Sequence, residues 1–271
     1  MGTFITIIIP TYNRDSVTTE AIDSVTTVNP SLVEIIVVDD SSAQPYSYPH
    51  KSNIAGIPVR IFRHEVNTGA AVARQTAANH ATGEYLAFLD SDDRYQPGWV
   101  DFVLSSLMSP SLAKKKVFVS GLAVGGKSFS SILRLFFSKS RFFCNIQFFR
   151  FLSIFFNPFY TPTIVLHRDV CRFTNRSRYC EDFYTSVHGL ALSDVLLLPA
   201  VGACILGRHP NTSGGLSGHR IRMIFGELRI RRALAGSGEL SVLVRLATPL
   251  GVVYQVIREV VKSILILFRA I

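Results

Sequence analysis

Asp90-Ser91-Asp92-Asp93 puts three carboxylates directly after the apolar run Tyr85 to Leu89. Carboxylates this close repel one another and lose hydration, so a strand end tolerates them chiefly where a cation neutralises them. The chemistry indicated is that of a hard divalent ion, Mg²⁺ or Mn²⁺, held by one or two carboxylates with positions left for phosphate oxygens. Such an ion acts as a Lewis acid on the charge that develops at a departing diphosphate. The same residues also fit a helix N-terminus, since aspartates ahead of a helix over Gln96 to Leu107 favour its dipole. Asp39 and Asp40 form a second acidic pair after Val33 to Val38. A carboxylate there can accept from a base imide or a ribose hydroxyl, although with Ser41 and Ser42 the pair equally suits a capped turn. Arg74 offers a guanidinium that could clamp a phosphate or fix a neighbouring aspartate.

The elements that must position these groups follow from hydrophobic periodicity. Phe4 to Ile9, Val33 to Val38, Val59 to Phe62 and Tyr85 to Leu89 are short apolar or β-branched runs, the length of strands buried on both faces. Ser16 to Val28 and the Ala-rich Ala70 to Ala81 have helical spacing. This β-α-β, β-α-β order predicts an α/β fold, with a Rossmann-like, mostly parallel sheet flanked by helices. In such sheets ligands bind beyond the carboxyl ends of the strands. Thr11 and Tyr12, Asp39 and Asp40, and Asp90 to Asp93 all fall there.

Composition separates the two halves of the 271-residue chain. Residues 1–110 hold six Lys and Arg against twelve Asp and Glu, a balance of −6, whereas the remainder holds 22 against seven, a balance of +15. The basic half points to an anionic partner such as a phospholipid surface or a diphosphate-linked substrate. A nucleic-acid partner lacks an accompanying recognition motif. Lys127 to Phe156 mixes aromatics with basic residues, as on a helix lying in a membrane interface or on an amphipathic core helix. Ile221 to Ile271 repeats the theme, and its longest uncharged stretch, Leu246 to Ile257, falls short of the roughly twenty residues of a bilayer span. A helical, membrane-associating C-terminal extension with peripheral attachment is therefore expected. Cys144, Cys171, Cys180 and Cys204 form no CxxC pair and read as reduced thiols. Phe4 to Ile9 carries neither a basic leader nor a cleavage site, which gives the expectation of a cytoplasmic protein.

Ile7-Ile8-Ile9-Pro10-Thr11-Tyr12-Asn13-Arg14, Glu34 to Ser42, Asn67-Thr68-Gly69 with Ala73-Arg74, and Gly83 to Asp93 with Pro97 resemble the family 2 glycosyltransferases, in order and at the expected separations. The resemblance implies a GT-A fold, a nucleotide-diphosphate sugar donor with UDP as the default nucleotide, and a metal-bridged diphosphate. By that comparison Pro10, Thr11 and Tyr12 flank the base, Asp40 reads its imide, Asp39 supports the loop and Arg74 joins the nucleotide site. Asp90 and Ser91 lie near the donor sugar or diphosphate, Asp92 is the metal ligand and Asp93 assists it.

Glu181-Asp182 resembles the family's acidic pair, which makes Asp182 the expected catalytic base. A positioned carboxylate can take the proton of an attacking hydroxyl, and direct displacement of the diphosphate inverts the anomeric centre. Arg208-His209 resembles a mobile loop that meets the diphosphate or metal, with His219 and Arg220 as a competing placement. The expected organisation is a nucleotide-sugar-binding half over 1–110, an acceptor half with the base over 111–220, and a basic amphipathic tail over 221–271. The resemblance implies a saccharide acceptor, lipid-linked, met at the inner face of a bacterial membrane in polysaccharide synthesis. A non-catalytic nucleotide-sugar-binding protein on the same fold is the alternative. The complete acidic set speaks against it, because a relic should have lost Asp92 or Asp182.

Overall fold

The computed structural model describes residues 4–49, 53–109, 117–124, 127–128, 161–173, 184–185, 188, 195–205, 220–236, 253 and 257. Strand β1 (Ile5–Thr11) is buried along its whole length, as its unbroken β-branched run requires. It pairs in parallel with β2 (Val33–Asp39) on one side, in a register that sets Pro10 opposite Val38 and Thr11 opposite Asp39. On its other side it pairs in parallel with β5 (Tyr85–Phe88). β4 (Ile57–Arg63) continues the parallel sheet beyond β2, and the two-residue β3 (Asn53–Ile54) closes that edge antiparallel. The chain thus runs outward from β1 through β2 to β4 and then returns to β1's other side. This reversal opens a crevice at β1's carboxyl end.

Helices cover both faces, as the alternating pattern predicts. α1 (Asp15–Asp23) and α3 (Trp99–Leu107) pack with Ile5, Ile7 and Ile9, while α2 (Ala70–His80) lies on the other face against Ile8, Ile36 and Val38. Alanines at 73 and 77 let α2 approach the sheet closely, and both are fully buried. Each Ile or Val so buried contributes about 1.5–3 kcal/mol. At the sheet's amino edge, Gly83 lies so close to β1 that a Cβ there would come within 2.7 Å of the Thr6 nitrogen.

α3 starts later than the helix expected from Gln96. Gly98 takes a left-handed φ of 77°, which ends the preceding extended chain and fixes the helix start at Trp99. Asp93 lies instead in β6 (Asp93–Tyr95), so the acidic cluster does not cap α3. Between β6 and α3, Trp99 stacks on Tyr95 with ring centroids 4.0 Å apart, and the Tyr95 hydroxyl donates to the Phe88 carbonyl at 2.8 Å.

The second half extends the same sheet. β7 (Val117–Val124), β9 (Ile164–His167) and β10 (Val195–Ile205) insert between β5 and β6 in the order β5-β9-β7-β10-β6. β7 and β10 are parallel to each other, whereas β9 is antiparallel to both β5 and β7. β8 (Lys127–Ser128) pairs with β7, so the segment expected to be helical from Lys127 begins as a strand. The rest of that segment lies outside the described residues.

α4 (Arg220–Gly236) occupies the first part of the basic tail. It exposes Arg222, Phe225, Arg229 and Arg232 and buries Ile230 and Arg231, with Arg231 paired to Glu227 at 2.6 Å. Among the described residues no helix is long and apolar enough to cross a membrane.

Candidate functional site

The carboxyl ends of β1, β2, β4 and β5 meet at one rim, and side chains from each end knit the rim together. After β1, Tyr12 stands 48% exposed and offers a ring face for stacking on a base, while Thr11 is buried and joins the Thr18 hydroxyl at 2.6 Å. Asn13, with a left-handed φ of 52°, ties this loop to the next one. Its amide donates to Ser42 Oγ and its Oδ1 accepts from the Ala43 amide, both at 2.8 Å.

Asp39, expected to support the nucleotide-binding loop, is fully buried and faces inward. Its Oδ1 accepts from the Ser42 amide at 2.8 Å and its Oδ2 from the Tyr46 amide at 3.0 Å and from Arg63. Burial works to raise its pKa, but these donors outweigh it and hold the carboxyl below the ordinary range. Asp39 therefore shapes the loop and presents no oxygen to a ligand.

Asp40, expected to read the imide, is engaged by the loop between β4 and α2. Oδ1 accepts from the Thr68 amide (2.9 Å), the Thr68 hydroxyl (2.9 Å) and His64 Nδ1 (2.8 Å), and Oδ2 accepts from the Gly69 amide (2.7 Å). A carboxylate has about four lone-pair sites, two on each oxygen, so only Oδ2 keeps capacity for a further donor. Here too burial is outweighed, and the pKa lies below its ordinary value. The Asp40 amide donates to the Thr11 carbonyl at 2.9 Å, locking the β2 loop to β1.

The acidic cluster beyond β5 meets two arginines. Arg74, for which a phosphate clamp and the fixing of a neighbouring aspartate were both open, is seen paired with an aspartate. It is 4% exposed on α2, and its Nη2 donates to Asp90 Oδ1 at 2.6 Å. Arg14, after β1, places Nη1 2.8 Å from Asp92 Oδ2. Ser91 and Asp93 are buried. Burial and the neighbouring Asp90 and Asp92 charges push the Asp93 pKa up to about 8.

Among the described residues no three His, Cys, Asp or Glu side chains are grouped to hold an ion. The donor chemistry nevertheless fits a hard cation. Mg²⁺ commonly takes only one or two protein carboxylates, and three, Asp90, Asp92 and Asp93, are gathered at this strand end.

Asp182, Arg208 and His209 lie outside the described residues. The structure thus brings Pro10, Thr11, Tyr12, Asp39, Asp40, Arg74, Asp90, Ser91, Asp92 and Asp93 to one rim. Three residues of that rim were not assigned from sequence. Arg63 and His64 stand where β4 ends, and the strand-end rule that marks Asp39 marks them too. Arg14 is the third, and its partner is visible only in three dimensions.

Comparison with known proteins agrees with this geometry. Residues 6–131 match the model for Glycosyl transferase family 2. An uncharacterized glycosyltransferase of Haemophilus influenzae is 36% identical over 106 residues, which cover 37% of this chain and 33% of that protein. The Escherichia coli protein WfgD, named as a UDP-Glc:alpha-D-GlcNAc-diphosphoundecaprenol beta-1,3-glucosyltransferase, is 28% identical over 40% of this chain and 43% of its own length. The chain thus aligns with less than half the length of these relatives. Among solved structures, Staphylococcus aureus TarS 1–349 in complex with UDP-GlcNAc shares the fold with a TM-score of 0.63 at 15% identity, covering 91% of this chain and 70% of that one. The mannosyltransferase PcManGT of Pyrobaculum calidifontis, in complex with GDP-Man and Mn²⁺, does so with 0.62 at 16%, covering 100% and 80%.

Proposed function

Since residues 6–131 match the model for Glycosyl transferase family 2, we propose that the chain transfers a sugar, with inversion, from a nucleotide-diphosphate donor to a lipid-linked saccharide during polysaccharide synthesis. The observation that carries this reading is the juxtaposition, at the sheet's switch point, of an exposed Tyr12 ring and the Asp90, Asp92 and Asp93 carboxylates. The base stacks on Tyr12, within the wall formed by the Asp39 and Asp40 loops. UDP is the first nucleotide to test, because WfgD is named for a UDP-sugar and TarS is seen with one.

Asp92, assisted by Asp93, would hold Mg²⁺ or Mn²⁺, with Asp90 and Ser91 beside the donor sugar. The chemistry a bound cation supplies there is neutralisation of charge on the departing diphosphate. The acceptor hydroxyl oxygen forms the new bond to the anomeric carbon as the bond to the diphosphate breaks, and the Asp182 carboxylate receives the hydroxyl proton. Arg208 and His209 close over the diphosphate.

The exposed Arg222, Phe225, Arg229 and Arg232 of α4 support a peripheral position on anionic lipid at the cytoplasmic face, each cation near the surface contributing about 1 kcal/mol. Charge reversal at Arg222, Arg229 and Arg232 should release the protein from anionic vesicles in a flotation assay.

The decisive test is thermal unfolding against a panel of UDP-, GDP- and dTDP-sugars, with and without Mn²⁺. A donor at a hundred times its dissociation constant stabilises by about 2.7 kcal/mol. Asp182→Asn should keep that shift and lose transfer. A panel in which no nucleotide sugar moves the transition would end the proposal.

A further inference from the structure

We propose that Arg14 is an exchangeable counter-ion of the acidic rim: it holds the Asp92 carboxylate until a divalent cation takes that carboxylate, and then turns to the donor's diphosphate. The inference rests on the donor reading above and assigns a residue which that reading leaves without a role.

Two arginines meet the cluster in different ways. Arg74 belongs to α2 and is buried, so its guanidinium is a fixed partner for Asp90. Arg14 lies on the connection between β1 and α1, and its side chain and that of Asp92 are 26% and 32% exposed. Only its backbone is pinned. The Arg14 carbonyl accepts from the Thr18 amide at 2.8 Å and the Thr18 hydroxyl at 2.7 Å, and that hydroxyl in turn meets Thr11. The base of the side chain is therefore rigid, whereas the guanidinium of this part-exposed side chain is held, among the described residues, by the Asp92 pair alone.

An ion pair that water reaches on both partners is weaker than a buried one and open to exchange. A divalent cation carries twice the charge of a guanidinium and favours carboxylate oxygens, so it competes directly for Asp92. The displaced guanidinium stays tethered at the rim where the diphosphate must lie, and its planar fork suits paired phosphate oxygens. Arg14 thus opposes the cation alone and assists the cation together with the nucleotide.

Those two effects have opposite signs, which a purely structural role would not produce. Arg14→Gln should bind Mn²⁺ alone roughly two- to fivefold more tightly, because an exposed competing pair is gone. The same variant should bind UDP at saturating Mn²⁺ at least tenfold more weakly, because a charge-assisted contact is lost. Free Mn²⁺ is read by electron paramagnetic resonance and UDP by calorimetry, with GDP and dTDP run in parallel. Arg14→Lys keeps the charge without the fork. It should return Mn²⁺ affinity to within twofold of wild type and recover only part of the nucleotide affinity. It also serves as the test variant if the thermal transition shows Arg14→Gln to be misfolded. Affinities that both stay within twofold of wild type, or that shift in the same direction, overturn the role of Arg14. Wild-type protein that binds neither Mn²⁺ nor any of the three nucleotides overturns the donor reading as well.

Discussion

Replacing Asp40 by alanine separates fastening from recognition. The substitution strips the acceptor from four donors, the Thr68 amide, the Thr68 hydroxyl, His64 Nδ1 and the Gly69 amide. Two of these can console each other, since the Thr68 hydroxyl and His64 Nδ1 already lie 3.0 Å apart. The two backbone amides cannot. They immediately precede α2, and the Asp40 carboxylate is the acceptor that reaches both. Leaving a buried donor unmade costs about 1–3 kcal/mol, and removing a negative charge from a helix N-terminus adds about 0.3–1 kcal/mol. The Gly69 amide is buried and the Thr68 amide only partly so, which puts the expected loss for Asp40→Ala at about 2–5 kcal/mol, a large part of a typical domain's 5–15 kcal/mol. Asp40→Asn keeps one acceptor oxygen and should lose about 1–3 kcal/mol. Urea unfolding at neutral pH measures both, with the slope unchanged if only stability has moved. An Asp40→Ala protein within 0.5 kcal/mol of wild type would refute the fastening argument, since four donors would then have lost nothing of consequence.

Gly83→Ala should destabilise by about 1–3 kcal/mol in the same assay, because the new Cβ meets backbone atoms of Ile5 and Thr6 that cannot swing aside; an unchanged midpoint would show that β1 yields there. The native Cys171 thiol, its pKa pushed up to about 12 by burial, should resist alkylation at pH 8 and react only on unfolding, as mass spectrometry of labelled protein reads directly. Stability should fall in acid. Glu34, Asp39 and Asp40 all have folded pKa values below their ordinary 4.5, 3.8 and 3.8, so their contributions are whole above those values and are lost as the pH falls through the lower folded ones. Asp93, raised to about 8, works the other way, adding stability as the pH falls from 8 to its ordinary 3.8, so the acid loss is read below that value, and urea midpoints that stay level from pH 4 to pH 2 would contradict it.

The parallel half of the fold was legible because its signals are local. β1 and β2 are unbroken β-branched runs, and Ala70 to His80 departs by one residue from the helix its alanines predict. The start of α3 was not legible, because it depends on the left-handed φ of Gly98 rather than on apolar spacing. β7, β9 and β10 were missed for a different reason. They enter the sheet between β5 and β6 out of chain order, and no local pattern encodes such pairing. At the site, strand-end positions located the carboxylates but not their partners. The Arg14–Asp92 and Arg74–Asp90 pairs arise only once the loops converge, and they decide which acid is fixed and which can be exchanged.

The chain contains a single tryptophan, and the fold sets it one stacked ring away from the strand that carries Asp93. Tyr95, which carries that stack, shares a three-residue strand with Asp93 and is hydrogen-bonded to the end of β5. A rearrangement of the rim that moves Tyr95 is therefore felt at the indole. Excited at the red edge, where the nine tyrosines do not absorb, that one indole serves by its emission colour and quenching as an unlabelled gauge of what happens where Asp92 and Asp93 lie.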